Sequence, residues 1–98
     1  RCLRYRGLTL DPDAVEVRLD GRVLEQLTAR EFELLRELLS SPGRVFTREI
    51  LLAKLWGYDF FGDERVVDSH IKNLRKKLGV DYIETVRGVG YRVPKEHP

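Results

Sequence analysis

The sequence predicts an α+β domain in which a small antiparallel sheet comes first, three helices follow and a β-hairpin ends the fold. Three observations indicate this order. Residues 8–25 alternate apolar and polar side chains around Asp20-Gly21, a strong hairpin signal. Residues 28–79 carry helix caps and apolar spacings of three and four. The segment "YIETVRGVGYRV" (82–93) has the pattern of two short strands joined at glycines.

Length and composition limit the architecture and the possible functions. With 98 residues, the chain is expected to form one domain, 1–98, around a single core. No run approaches the roughly 20 apolar residues of a membrane span, and no signal peptide is recognisable. Cys2 is the only cysteine, which fits a reducing compartment and predicts a cytoplasmic protein. Because the sequence has no initiator methionine, we expect it to be a piece of a larger protein.

The N-terminal sheet is predicted over residues 7–27. Its three or four strands include residues 8–10, 15–19 and 23–25. The first helix follows, because Thr28 and Glu31 have the spacing of a capping box. Its apolar residues form one broad face, and "SSPG" (40–43) ends it. The predicted buried face consists of Phe32, Leu34, Leu35, Leu38 and Leu39.

The second helix is predicted to begin after the capping residue Thr47 and to end at Gly57. Its inward residues should be Leu51, Leu52, Leu55 and Trp56. A loop rich in Gly, Asp and aromatic residues follows at 57–64, and Asp63 is a candidate cap for a third helix, 65–78. Pro94 should end the closing hairpin, and residues 95–98 are expected to be loose.

The third helix carries an unusual concentration of charge. Residues 65–77 contain five Lys or Arg and one acid, Asp68, whereas the whole chain is only +2. On a helical wheel Val67, Ile71, Leu74 and Leu78 form a narrow inner stripe. The opposite face mixes cations with Ser69 and Asn73, a combination that suits phosphates and base edges. The alternative is a basic face that is merely solvated.

Two flanking features bear on this choice. A short helix precedes the basic helix, as in helix-turn-helix proteins. In the closing hairpin Arg87 lies beside the glycine tip, where it could enter a minor groove. Exposed arginines are common on protein surfaces, so Arg87 taken alone is best interpreted as simply solvated. Together with the basic helix, a DNA contact becomes the better interpretation.

Three segments, in order and without large gaps, resemble the winged-helix effector domain of OmpR/PhoB-type two-component response regulators. They are "LTAREFELLRELLSSPGRVFTREILLAKLWG" (27–57), "RVVDSHIKNLRKKLG" (65–79) and "YIETVRGVGYRV" (82–93). The resemblance implies a winged helix-turn-helix fold and sequence-specific binding of double-stranded DNA in bacterial transcription regulation. The third helix would enter the major groove and the hairpin wing the adjacent minor groove.

The resemblance also implies partners. A receiver domain, expected N-terminal to this sequence, would take part in a phosphorelay with a sensor kinase, and RNA polymerase would be a further partner. A second copy of the domain would bind head-to-tail on promoter direct repeats, about one helical turn away. No cofactor, metal or membrane is implied, and the operator sequence is not carried over.

The resemblance assigns candidate roles to individual residues. In the recognition helix, the groove-facing set is Arg65, Val66, Ser69, Lys72, Asn73 and Lys76, and the phosphate contacts are His70 and Arg75. The DNA-binding residues of the wing are Thr85, Arg87, Gly88 and Tyr91. Trp56 is a possible DNA-backbone contact, a core-edge tryptophan, or both. The possible polymerase-contact loop contains Tyr58, Asp59, Phe60, Phe61 and Asp63; for Phe60 and Phe61 packing onto the domain is the preferred interpretation.

Two other function classes make different demands on the sequence. A winged-helix protein-interaction module without specific DNA binding would share the core, but it should have a less basic third helix. An enzyme such as a small nuclease needs clustered carboxylates for a metal, or a histidine with a partner. The acids here are scattered, and Asp68 stands alone among cations, so no enzyme activity is predicted.

Overall fold

The N-terminal strands form a four-stranded antiparallel sheet in the order β1-β2-β3-β4. In this computed structural model, which describes residues 1–96, the strands are β1 (Leu3–Tyr5), β2 (Leu8–Asp11), β3 (Glu16–Leu19) and β4 (Arg22–Val23). The sheet therefore begins before residue 7, where the sequence pattern placed its start. Asp20 and Gly21 join β3 to β4 with φ of 52° and 84°, which is the geometry of the predicted two-residue hairpin turn.

Helix α1 (Ala29–Leu39) has the predicted capping box. The Glu31 amide donates to Thr28 Oγ1 over 3.1 Å, and the Thr28 amide donates to Glu31 Oε1 over 3.0 Å. The chain leaves the helix at Ser40, as predicted. All five residues of the predicted apolar face are buried, so α1 packs its whole inner face against the rest of the domain.

Helix α2 (Arg48–Trp56) starts after Thr47, whose hydroxyl accepts from the Ile50 amide over 3.1 Å, and ends at Gly57 as predicted. Among its predicted inward residues Leu51 is fully buried, whereas Leu52, Leu55 and Trp56 are half-buried and pack against the edge of the core. A two-residue strand that the sequence did not predict, β5 (Phe46–Thr47), precedes the helix.

Helix α3 (Arg65–Leu78) buries the predicted stripe of Val67, Ile71, Leu74 and Leu78. Its N-cap position is Glu64, one residue after the predicted Asp63, and the Glu64 side chain makes no capping hydrogen bond. The Asp63 carboxylate nevertheless accepts from the Arg65 amide over 2.9 Å. The predicted side chain thus satisfies a free amide of the first turn, although Asp63 lies one position outside the cap.

The chain ends in a hairpin of β6 (Glu84–Val86) and β7 (Gly90–Arg92), and β7 also pairs with β5 in a sheet of order β5-β7-β6. Gly90 lies opposite Thr47, and a Cβ on Gly90 would lie 2.0 Å from the Phe46 carbonyl oxygen. Glycine is required there by the approach of β5. Positions 97 and 98 lie outside the described residues. Two predictions include them: that residues 95–98 are loose, and that the domain boundary is at 98.

One continuous core joins both sheets and all three helices. It includes Tyr5, Leu8 and Val17 from the first sheet, Phe46 and Tyr91 from the second sheet, and Val93 just after β7. No helix within residues 1–96 combines the length and the apolar character that a bilayer span requires.

Candidate nucleic-acid interface

The face of α3 opposite the core stripe is exposed over three turns. It presents the hydroxyl of Ser69, the ammonium groups of Lys72 and Lys76, the amide of Asn73 and the guanidinium of Arg65. No acidic residue lies among them, since Asp68 is half-buried on the flank. Val66, which the resemblance assigns to the groove-facing set, is half-buried and packs against the core. The cations donate hydrogen bonds, whereas the Ser69 hydroxyl and the Asn73 amide can both donate and accept, a combination that suits a polyanion with polar base edges.

Fewer cations of α3 are unpaired than the sequence count indicates. Arg65 Nη2 lies 2.6 Å from Asp63 Oδ2, and this bond lowers the pKa of the Asp63 carboxyl. Lys77 Nζ lies 2.5 Å from Glu31 Oε1 and also donates to the Gln26 carbonyl oxygen. Within residues 1–96, Lys72 and Lys76 are therefore the lysines of α3 without an ion pair.

The Glu31–Lys77 pair ties α3 to the start of α1. Glu31 is only 2% exposed, and burial by itself would raise the pKa of its carboxyl. The hydrogen bonds from Lys77 and from the Thr28 amide outweigh burial, and the pKa of Glu31 lies below its ordinary value. Lys77 thus holds the helix on the core and is directed away from the exposed face.

Arg75 joins α3 to the hairpin. Its Nε and Nη2 donate to the Ile83 carbonyl oxygen over 3.1 and 2.7 Å, and Nη2 also donates to Thr85 Oγ1 over 2.8 Å. The guanidinium carbon lies 5.6 Å from the centroid of the Tyr91 ring. Arg75, predicted as a phosphate contact, is half-buried and orders the base of the hairpin.

Asp68, the only acid of the helix, is bonded to two other elements. Arg48 Nε at the start of α2 donates to Asp68 Oδ1 over 2.7 Å, and the Tyr91 hydroxyl on β7 donates to the same oxygen over 2.5 Å. Burial, followed by the bond to Asp68, raises the pKa of the Tyr91 phenol. The bond to Asp68 also raises the pKa of Arg48.

The structure places Tyr91, which the resemblance assigns to the DNA-binding residues of the wing, inside the fold. Tyr91 is only 5% exposed, and the guanidinium carbons of Arg48 and Arg75 lie 5.5 and 5.6 Å from its ring centroid. Tyr91 pairs directly with the buried Phe46 of β5, and residues directly opposite each other share one face of a sheet, so both side chains are on the inner face. The ring therefore supports the wing from below.

The tip of the hairpin, residues 87–89, is exposed. The Val89 amide donates to the Val86 carbonyl oxygen over 2.9 Å, which closes a tight turn, and Gly88 has φ of 76°. A turn of this kind favours glycine at its third position. Arg87 extends from the turn without an ion pair in the described part of the chain, and Thr85 is exposed one strand position before Val86.

Trp56 and His70 form a packed flank beside the exposed face. The two rings are 5.2 Å apart, the Arg30 guanidinium lies 4.5 Å from the Trp56 centroid, and Phe60 packs at 6.2 Å. The Nδ1 atom of His70 is buried without a hydrogen-bond partner in the described residues. Trp56 is a core-edge residue with a partly accessible ring, and the structure is compatible with both interpretations of it.

The loop at 57–64 projects its aromatic residues in different directions. Phe60 packs on Trp56, as preferred from the sequence. Phe61 is 96% exposed and Tyr58 is 94% exposed, so packing onto the domain is wrong for Phe61. Asp59 is exposed, and Asp63 holds Arg65 as described above. Two large aromatic side chains of this loop thus face solvent.

Sequence reasoning missed Arg48 and the inward roles of Asp68, Arg75 and Lys77. Nothing near Arg48 marks it, because an arginine in the first turn of a helix is ordinary. The partners lie 8 to 51 positions apart and in other parts of the fold, beyond any local pattern. No group of three or more His, Cys, Asp or Glu side chains suited to a metal occurs within residues 1–96.

Comparison with known proteins gives consistent matches. Residues 22–93 match the family described as "Transcriptional regulatory protein, C terminal". The chain is 52% identical over 90 residues to the regulatory protein VanRB of Enterococcus faecalis, covering 92% of this chain and 40% of that protein. It is 48% identical over 91 residues to the transcriptional regulatory protein CseB of Streptomyces coelicolor, covering 93% and 38%. The chain thus spans about two fifths of the curated relatives it matches.

Solved structures match as well. The DNA-binding domain of Klebsiella pneumoniae RstA, determined in complex with the RstA box, superposes with a TM-score of 0.86 at 34% identity, covering 96% of this chain and 97% of that one. The response regulator DrrB of Thermotoga maritima, an OmpR/PhoB homologue, gives a TM-score of 0.86 at 35% identity, covering 96% and 44%.

Proposed function

Since the chain belongs to the C-terminal transcriptional regulatory family, the winged-helix effector domains of OmpR/PhoB-type response regulators, we propose that it binds specific double-stranded DNA as the output domain of a bacterial two-component transcriptional regulator. The observation that carries this proposal is the exposed face of α3, where Ser69, Lys72, Asn73 and Lys76 face solvent without an acid among them.

In the proposed complex α3 lies in the major groove. Lys72 and Lys76 neutralise phosphates or reach guanine edges, and Asn73 is placed to bridge the two edges of an adenine. Arg65 can contact phosphate once it leaves the exposed Asp63, because surface ion pairs are weak. His70 and Trp56 bound this face on one side and would contact the sugar-phosphate backbone.

The wing enters the adjacent minor groove. Gly88 has no Cβ, so the backbone at the tip can approach the groove wall closely. Arg87 would then reach into the groove, where narrow A·T-rich segments concentrate negative potential. Arg75 and Tyr91 support this arrangement from inside the domain, since both bond to groups on other elements.

The other proposed partners follow from membership of the family. A receiver domain N-terminal to residue 1 would be phosphorylated by a sensor kinase, and a second copy would bind head-to-tail on promoter direct repeats. RNA polymerase would contact the loop at 57–64, where Tyr58 and Phe61 are nearly fully exposed. Such a regulator would act in the cytoplasm, and we propose no enzyme activity for the domain.

Selection of bound duplexes from a random pool, followed by sequencing, tests the proposal. We expect an enriched motif with a spacing of about one helical turn between repeats. A protein-interaction module, by contrast, should show no salt-dependent retention of duplex DNA. Absence of both enrichment and salt-dependent retention would overturn DNA binding as the function.

A further inference from the structure

We propose that Asp68 is a positioning residue that sets the wing against the recognition helix, and that specific DNA binding depends on it although it contacts no DNA. Asp68 lies on α3, and its Oδ1 accepts hydrogen bonds from Arg48 of α2 and from Tyr91 of β7. One oxygen therefore joins the two helices of the helix-turn-helix to the inner strand of the wing. This inference rests on the proposed function.

The electrostatics make the position of Asp68 informative. A carboxylate on a helix that approaches phosphates repels them, so Asp68 opposes DNA binding by its charge alone. Its side chain is 35% exposed, which leaves part of this repulsion in place. The charge of Asp68 opposes DNA binding by α3. Its presence there is explained if its bonds to Arg48 and Tyr91 fix the position of the wing relative to the helix.

The contacts continue from Asp68 to the base of the wing. Tyr91 is buried, and the guanidinium carbons of Arg48 and Arg75 lie 5.5 and 5.6 Å from its ring centroid. Arg75 in turn donates to the Ile83 carbonyl oxygen and to Thr85 Oγ1, at the start of the hairpin. A neutral amide oxygen in place of the Asp68 carboxylate would accept both bonds more weakly, which would loosen the ring of Tyr91 and so the angle between the hairpin and α3.

The test uses Asp68→Asn, which is nearly isosteric and removes one negative charge. Glu84→Gln is the matched control, because Glu84 is an exposed wing carboxylate paired with Arg92 at 2.7 Å and its loss changes the net charge identically. Both variants are compared with wild type on a duplex enriched by the wild-type domain and on a random-sequence duplex of equal length. Urea melts establish that each variant is folded.

If Asp68 positions the wing, Asp68→Asn weakens binding to the enriched duplex by at least about fivefold, while binding to random duplex is unchanged or tighter. Glu84→Gln tightens binding to both duplexes or leaves both unchanged. If Asp68→Asn instead tightens binding to both duplexes, as Glu84→Gln does, Asp68 acts only by its charge and the inference is overturned.

Tyr91→Phe is a second variant that keeps the ring and the net charge and removes only the hydroxyl that donates to Asp68. We expect it to lower the ratio of enriched to random affinity in the same direction as Asp68→Asn; an unchanged ratio would overturn the role of that bond. Wild-type protein that enriches no duplex would overturn the proposed function itself, and normal wild-type enrichment with unaffected variants would overturn only the positioning role.

Discussion

Replacement of Lys76 by glutamine is expected to remove one phosphate contact without weakening the fold. Lys76 is exposed on α3 and has no ion pair within residues 1–96. Together with Lys72 and Arg87 it is one of three such cations on the proposed interface. Each neutralised phosphate contributes about −0.9 to the slope of log affinity against log salt, so three contacts predict a slope of about −3 for the wild type.

A count of all five cations of the helix would predict a steeper slope, about −4 to −5. The difference arises because Arg75 and Lys77 are bonded to protein groups. Arg65 can turn to a phosphate, but the negative charge of the neighbouring Asp63 offsets its own. For Lys76→Gln we expect a slope of about −2, so that between about 50 and about 200 mM salt the variant loses about 3.5-fold less affinity than the wild type.

Lys77→Gln is the matched control, one position along the same helix. It removes the same charge, but Lys77 Nζ faces Glu31 and the Gln26 carbonyl oxygen. We expect an unchanged salt slope and a loss of about 1–3 kcal/mol in the free energy of unfolding, because the buried Glu31 loses a charged partner. Fluorescence anisotropy with random duplex at several salt concentrations, with urea melts, measures both. Equal slope changes in the two variants would refute the assignment of inward and outward lysines.

Three further predictions concern the wing, the core and pH. Arg87→Ala should reduce the preference for A·T-rich over G·C-rich flanks around one core site and leave stability unchanged; an identical flank preference in both proteins would exclude the minor groove. Leu74→Ala should lower the free energy of unfolding by about 2–5 kcal/mol in denaturant melts, because Leu74 is fully buried; unchanged stability would contradict the packing of α3. The pKa of Glu31 is lowered in the folded state, so its contribution to stability is present above the unfolded value of about 4.3 and is lost as pH falls through the folded value. Denaturant midpoints of wild type should therefore fall more steeply than those of Glu31→Gln below about pH 5, and parallel profiles would argue against the shift.

The helices and the first hairpin turn could be predicted because their signals are local. The capping box of Thr28 and Glu31 and the turn at Asp20-Gly21 each lie within four residues, and both have the expected geometry. Strands β1 and β5 were missed because they have three and two residues. Their identity as strands comes from pairing with β2 and β7, and a pattern that short carries no periodicity.

The exposed face of the candidate interface was also predictable. Once the core stripe of α3 is known, helical periodicity determines which residues lie on the opposite face. The directions of Lys77 and Tyr91 were not, because each depends on a partner far along the chain. The exposure of Phe61 could not be predicted from the sequence either. Two adjacent aromatic residues in one loop have equal intrinsic tendency to pack, and only the position of Trp56 determines that Phe60 packs.

Base recognition by α3 is tested most directly with Asn73→Ala. Asn73 is exposed between the two lysines that lack ion pairs, and its amide matches the donor and acceptor of an adenine edge. Binding of wild type and variant is measured on an enriched duplex and on a random duplex at one salt concentration. We predict a loss of about 1–3 kcal/mol on the enriched duplex and little change on the random one. An equal loss on both, or none on either, would contradict base recognition by this face of the helix.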